Sequence, residues 1–208
     1  MFGAYSGIHP KRNPLPFKHQ LGFTLVEIMM SVILIAISTA LAAPSYRTMV
    51  EKRQLTNTAE QIAAFVNSVQ GISSRSNQMV TVSFDRNDSD DWCIGATLGP
   101  DACDCGETNT GDSDFCEIDS LPYVLNESIN EGAEMINSIE GNGADFSFDP
   151  IRGMFADMND YMTVEMHSRS QDFKLDLMVN PTGRVVLCSH DSSHAVPGYA
   201  VCDQEEES

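Results

Sequence analysis

Residues 23–43 read FTLVEIMMSVILIAISTALAA: twenty-one residues, four-fifths apolar or small, with a single charge at Glu27. A helix needs roughly 20 apolar residues to cross a bilayer, so the stretch has spanning length. A secretory signal with cleavage after small residues is the ordinary alternative, and Ala42-Ala43 offers such a site. The acid inside the run argues against it. A carboxylate at membrane depth costs a few kcal/mol, so it marks a function by default. Lys11, Arg12 and Lys18 precede the run with no acid among the first 22 residues, the placement expected of a cytoplasmic flank.

Directly before and into the run stands Gly22-Phe23-Thr24-Leu25-Val26-Glu27. This segment resembles the class III signal of type IV prepilins and type II secretion pseudopilins. The resemblance implies that a prepilin peptidase cuts between Gly22 and Phe23 and that the new N-terminal Phe23 is N-methylated. It also implies a role for Glu27 in assembly: its carboxylate neutralises the N-terminus of a neighbouring subunit inside an apolar filament core, where an unpaired charge is expensive. The implied partners are other pilin or pseudopilin subunits, the peptidase and an inner-membrane assembly platform. The implied location is a single pass of the inner membrane with a periplasmic C-terminal domain, followed by entry into a pilus or secretion filament.

Working outward, Pro44 closes the apolar run and is expected to bend or melt the helix locally. Beyond it, Leu55, Ala59, Ile62, Val66 and Val69 recur at spacings of three and four, an amphipathic helix whose stripe Phe65 and Ile72 widen. Gly71 and Ser73-Ser74 predict its end. From Met79 the period changes to two. Strands are expected at 79–84, 92–98, 121–125, 144–148, 162–167, 173–179 and 184–188, with 135–139 as a further strand. Asn180-Pro181-Thr182-Gly183 reads as a tight turn between the last two strands, and Asp149-Pro150-Ile151-Arg152-Gly153 as a similar connection. A long helix followed by antiparallel strands is an α+β fold, and it is the type IV pilin arrangement. The expected division is a leader at 1–22, an apolar helix at 23–43, its amphipathic continuation at 44–75, a β-rich domain at 76–202 and an acidic tail at 203–208. Residues 148–153 and 181–188 further resemble the GspH/FimT branch of the family.

Six cysteines, an even number, with an export signal imply an oxidising compartment and up to three disulfides. The resemblance favours Cys188 with Cys202. Cys93, Cys103, Cys105 and Cys116 are expected to pair among themselves. Cys103 and Cys105 stand too close to favour one another, which leaves each to Cys93 or Cys116, and the sequence does not choose. The Cys103-x-Cys105 spacing is not that of a zinc site, and no metal or other cofactor is expected. An EF-hand reading of Asp85, Asn87 and Ser89 fails at the sixth and twelfth positions; Asp112, Asp114, Glu117 and Asp119 remain as an irregular calcium alternative.

No nucleophile elbow, phosphate loop or H-E-x-x-H is present, so no enzymatic activity is expected. The chain carries 12 Lys and Arg against 30 Asp and Glu, a net charge of −18, and all three bases of the first 22 residues lie outside the expected mature chain. Such a surface repels a phosphate backbone, and of the branch's GRxR DNA-binding motif only Arg184 is kept, so nucleic acid is not an expected partner. The same average predicts repulsion from anionic lipid, with membrane attachment left to the apolar helix.

Overall fold

A computed structural model of the chain describes residues 22–86, 92–126, 133–136 and 145–202. They form one helix and ten strands in an α+β arrangement of the type IV pilin kind. The chain divides into two compact units, residues 1–43 and 44–208. Helix α1, Leu25–Ser76, begins in the first and ends in the second. Its first turn is capped by Thr24, whose Oγ1 accepts the N–H of Glu27 at 3.2 Å, the first half of a capping box. The helix runs through Pro44 without a break, so the melting expected there does not occur. The missing proline N–H costs one ladder bond, which the turns on either side tolerate.

In the second unit the expected stripe is buried: Leu55, Ala59, Ile62, Val66 and Val69 are sealed from solvent. The helix ends at Ser76, one residue past the expected 44–75 continuation, where Asn77 takes a left-handed φ of 53°. Asn tolerates that conformation and so replaces the usual C-terminal glycine. Ser73 does not break the helix because its hydroxyl donates to the carbonyls of Gln78 and Phe148 at 2.8 and 3.2 Å, tying the helix end to the sheet.

Two four-stranded antiparallel sheets follow. The first contains β1 (Val80–Arg86), β2 (Trp92–Leu98), β5 (Val124–Asn126) and β7 (Asp145–Phe148) in the order β5-β2-β1-β7. The second contains β6 (Ala133–Ile136), β8 (Met162–Ser168), β9 (Lys174–Val179) and β10 (Val185–Ser189) in the order β10-β9-β8-β6. A two-stranded hairpin, β3 (Glu117–Ile118) with β4 (Leu121–Pro122), stands apart. The alternation that marks these strands in the sequence is their burial: Val80, Val82 and Phe84 face the core from β1, and Leu175, Leu177 and Val179 from β9. Phe146 and Phe148 of β7 meet Phe155, with ring centroids 4.5 to 5.4 Å apart. Aromatic contacts of this kind add about 0.5–1.5 kcal/mol beyond the area they bury.

The single strand expected at 121–125 is two strands, because Tyr123 turns to the helix: its hydroxyl bonds Ser68 at 2.7 Å and its ring lies 5.1 Å from Phe65. The strand expected at 135–139 is β6, shifted toward the N-terminus; residues 137–139 lie outside those described, as do residues 1–21 of the leader and the acidic tail.

Candidate assembly segment and stapled loops

The apolar helix satisfies its own hydroxyls. Ser31, Ser38 and Thr39 donate their hydroxyls to the carbonyls of Glu27, Leu34 and Ile35 at 2.8, 2.8 and 3.0 Å. With Thr24 spent on the cap, each hydroxyl between residues 23 and 43 is satisfied within its own helix. Gly22 and Phe23 precede the helix, and Phe23 is 78 % exposed. Glu27 sits in the first turn, where a carboxylate complements the helix dipole. Leu25, Val26 and the apolar residues through Leu41 are likewise exposed, a surface that water does not stabilise. The helix is long and apolar enough to cross a membrane.

In the second unit the cysteines form three disulfides, Cys93–Cys105, Cys103–Cys116 and Cys188–Cys202. The first two interleave along the chain and pin the 99–116 segment onto the outer face of the first sheet. Alternation along β2 puts Trp92, Ile94 and Ala96 in the core and turns Cys93 and Gly95 outward. A side chain at Gly95 would meet the sulfur and Cβ of Cys116 and the Cβ of Cys105, so only glycine lets both bridges lie against the strand. Beneath the segment, Thr81 Oγ1 donates to the Gly99 carbonyl at 2.6 Å, and Ser83 Oγ accepts the Cys103 N–H at 3.0 Å. These outward residues of β1 are buried polar groups with their partners in place.

The third bridge closes the C-terminal loop over the edge of the second sheet. Ser189, fully buried, accepts the Val196 N–H at 3.1 Å, while its own N–H donates to Ala200. Tyr199 donates its phenol hydrogen to Glu60 Oε1 of α1 at 2.8 Å. Burial, then that bond and the Glu60 charge, push the phenol up to about 12. Asp176 of β9 faces His190 Nδ1 at 2.9 Å, and burial raises its carboxyl against the opposing pull of the histidine.

Within this loop Asp191, Ser193 and His194 come together, but not as a catalytic relay. Ser193 Oγ and Asp191 Oδ2 both approach the same ring nitrogen, His194 Nδ1, at 3.0 and 2.8 Å, and Ser193 also donates to Asp191 at 2.6 Å. A triad needs the two imidazole nitrogens to serve serine and carboxylate separately. Here Asp191 caps a turn, accepting the Ser193 and His194 N–H groups, and the Ser193 hydroxyl and His194 ring, followed by these backbone bonds, hold its carboxyl well below the usual range. Asp112 and Asp114 likewise act in local turns. Among the described residues no group of three or more His, Cys, Asp or Glu is placed to hold a metal ion.

The two turn motifs singled out in the sequence converge. Gln70 Nε2 donates to the Gly153 carbonyl at 2.6 Å, and the Phe155 N–H donates to the Pro181 carbonyl at 2.9 Å. The 149–153 turn is held by Asp149, which accepts the N–H groups of Ile151 and Arg152 and pairs with the Arg152 guanidinium. Gln70, Gly95, Glu60 and Tyr199 were not among the expected functional residues. A glycine within a strand between two cysteines was the available signal for Gly95; the others depend on contacts made across the fold.

Residues 17–43 match the family described as the prokaryotic N-terminal methylation motif. No curated protein matches the chain, and no solved structure does.

Proposed function

From the premise that this chain carries the N-terminus of a type IV prepilin or pseudopilin, we propose that it is a minor pilin that enters a type IV pilus through its N-terminal helix and primes or caps the filament. The carrying observation is the methylation motif at 17–43, with Phe23 exposed ahead of a capped, apolar helix and Glu27 in its first turn. Prepilin peptidase cuts between Gly22 and Phe23, and Phe23 is then N-methylated. Glu27 becomes the fifth residue of the mature chain, and its carboxylate meets the N-terminus of a neighbouring subunit. The inner membrane holds the chain in a single pass before assembly, with the domain after Pro44 in the periplasm. The disulfide-stapled segments are its most constrained surfaces, suited to contact with the next subunit.

The same N-terminus serves a minor pseudopilin of a type II secretion system. Mass spectrometry of filaments sheared from cells, alongside membranes of the same cells, separates the two. A peptide beginning with N-methylated Phe23 in the sheared fraction is the expected result. The same peptide confined to membranes assigns the chain to the secretion filament. A mature chain beginning after Ala43 overturns the prepilin reading. DNA or surface binding at a filament tip is a weaker reading, since Arg184 alone remains of the basic motif.

A further inference from the structure

The chain's net charge of −18 predicts repulsion from anionic lipid, but the cations are not distributed as the average implies. Four of the nine bases that follow residue 22 gather at the start of the second unit: Arg47, Lys52 and Arg53 on α1, and Arg169 in the turn between β8 and β9. Glu51 and Asp172 are the acids nearest them in sequence. The turn is seated on the helix by Lys52, whose Nζ lies 4.4 Å from the Phe173 ring centroid. Between helix and turn opens a cleft of about 290 Å³ lined by Tyr46, Arg47, Val50, Glu51, Gln54 and Arg169. Among the described residues no acid lies within ion-pair distance of Arg47 or Arg169. Two exposed guanidiniums thus flank one cleft with neither in an ion pair, although the Glu51 carboxylate also lines it, in a chain where acids outnumber bases 30 to 12.

The position of the cleft along the chain says what fills it. Tyr46 and Arg47 follow Ala43, the last residue of the apolar run, by three and four residues. At about 1.5 Å per residue, Arg47 lies roughly 6 Å along the helix beyond that run. The headgroup layer of a bilayer extends about 5–7 Å beyond the hydrocarbon, so a helix that spans the core sets Arg47 among the headgroups. An exposed Tyr at that level is the residue favoured at the lipid–water boundary, and paired guanidiniums match a phosphate in shape and charge. We infer that the cleft between Arg47 and Arg169 holds the phosphate headgroup of an anionic phospholipid while the chain is anchored in the membrane. The inference rests on the anchor reading and is independent of which filament the subunit joins.

The test is native mass spectrometry of the full-length chain in neutral detergent, titrated with phosphatidylglycerol or phosphatidylcholine. The wild-type chain is expected to retain phosphatidylglycerol at least tenfold more often. Arg47→Gln with Arg169→Gln lowers that preference by about five-fold for each cation removed. Arg75→Gln with Arg184→Gln, cations remote in sequence from the cleft, leaves it unchanged. Equal retention of both lipids by the wild type overturns the proposal, as does full preference in the Arg47/Arg169 variant or equal loss in the control variant. A lipid-free dimer that disappears in the Arg47/Arg169 variant assigns the cleft instead to the acidic surface of a second copy. Failure of the anchor reading looks different: the chain then stays soluble and monomeric without detergent and takes up neither lipid. Melting temperature and the masses of the three intact disulfides establish that each variant is folded.

Discussion

Gly183 is the residue whose replacement separates backbone strain from collision. Its φ is 77°, and an added Cβ would fall on the Gln70 amide and the Gly153 carbonyl, the two partners of a 2.6 Å bond. Gly153 has a φ of 63° but only ordinary contacts, at 3.8 Å, around an added Cβ. A left-handed alanine alone costs about 1–2 kcal/mol. Gly153→Ala is expected to cost that much, and Gly183→Ala about 2–4 kcal/mol because the Gln70 bond is lost as well. Thermal melts of the full chain in one detergent measure both, and equal costs would show that Gln70 moves aside freely. Tyr199 gives a pH signature. Burial, with the Glu60 bond and charge, pushes its phenol up to about 12, against about 10 for a free tyrosine. The folded chain therefore keeps a proton that the unfolded chain releases, and this contribution to stability is complete below pH 10 and lost as pH rises toward 12. Phenolate absorbance should include a component that titrates near pH 12, and Tyr199→Phe should abolish it. Absence of that component in the wild type, or its survival in Tyr199→Phe, would break the link to Glu60.

At the scale of elements, the C-terminal loop depends on its bridge. The Cys188–Cys202 link spans 14 residues, which in the chain-entropy account stabilises by about 3 kcal/mol. Replacing both cysteines by serine should lower stability by that amount and expose residues 190–201 to limited proteolysis, with cleavage confined to the loop because the second sheet keeps its pairing. Cleavage within β9 instead would mean that the bridge holds the sheet itself. These elements were legible in the sequence to different depths. Apolar alternation marked β1, β2, β7, β8, β9 and β10, since each buries one face in a common core. Asn180 to Gly183 marked its turn because Gly183 requires a positive φ. The 3–4 spacing from Leu55 to Val69 marked the buried face of the helix. What stayed hidden was set by partners far along the chain. Tyr123 divides a strand because Ser68 and Phe65 wait for it on the helix, and the short β3–β4 hairpin has too few residues to show a period. The interleaved pairing of Cys93 with Cys105 and Cys103 with Cys116 follows from which residues of β2 face outward, a property of register rather than of spacing.

For the whole molecule, the decisive variant is Glu27→Ala. The residue lies five positions beyond Gly22 and outside the expected cleavage bond, so processing should proceed and a mature-sized chain should accumulate in membranes. Its recovery in sheared filaments should fall at least tenfold, because a neighbour's amino terminus would enter an apolar core with no counter-charge, a loss of several kcal/mol. Immunoblots of both fractions decide it, and wild-type recovery would remove Glu27 from assembly. The N-terminal motif was fully legible because its chemistry is local, whereas the cleft at Arg47 was not, since Arg169 reaches it from a turn more than a hundred residues away. The hydroxyls of Ser31, Ser38 and Thr39 have a consequence for how such a subunit changes surroundings. Each is already bonded to a carbonyl of its own helix. Leaving the lipid for a protein-lined interior therefore breaks none of these bonds and needs no new ones. The move is close to a transfer between two oils, with a near-zero solvation cost along the helix. On the proposed role, its direction is decided by the ionisable groups at the two ends of the apolar segment, the carboxylate of Glu27 and the cations that begin at Arg47, one finding a partner as the others let theirs go.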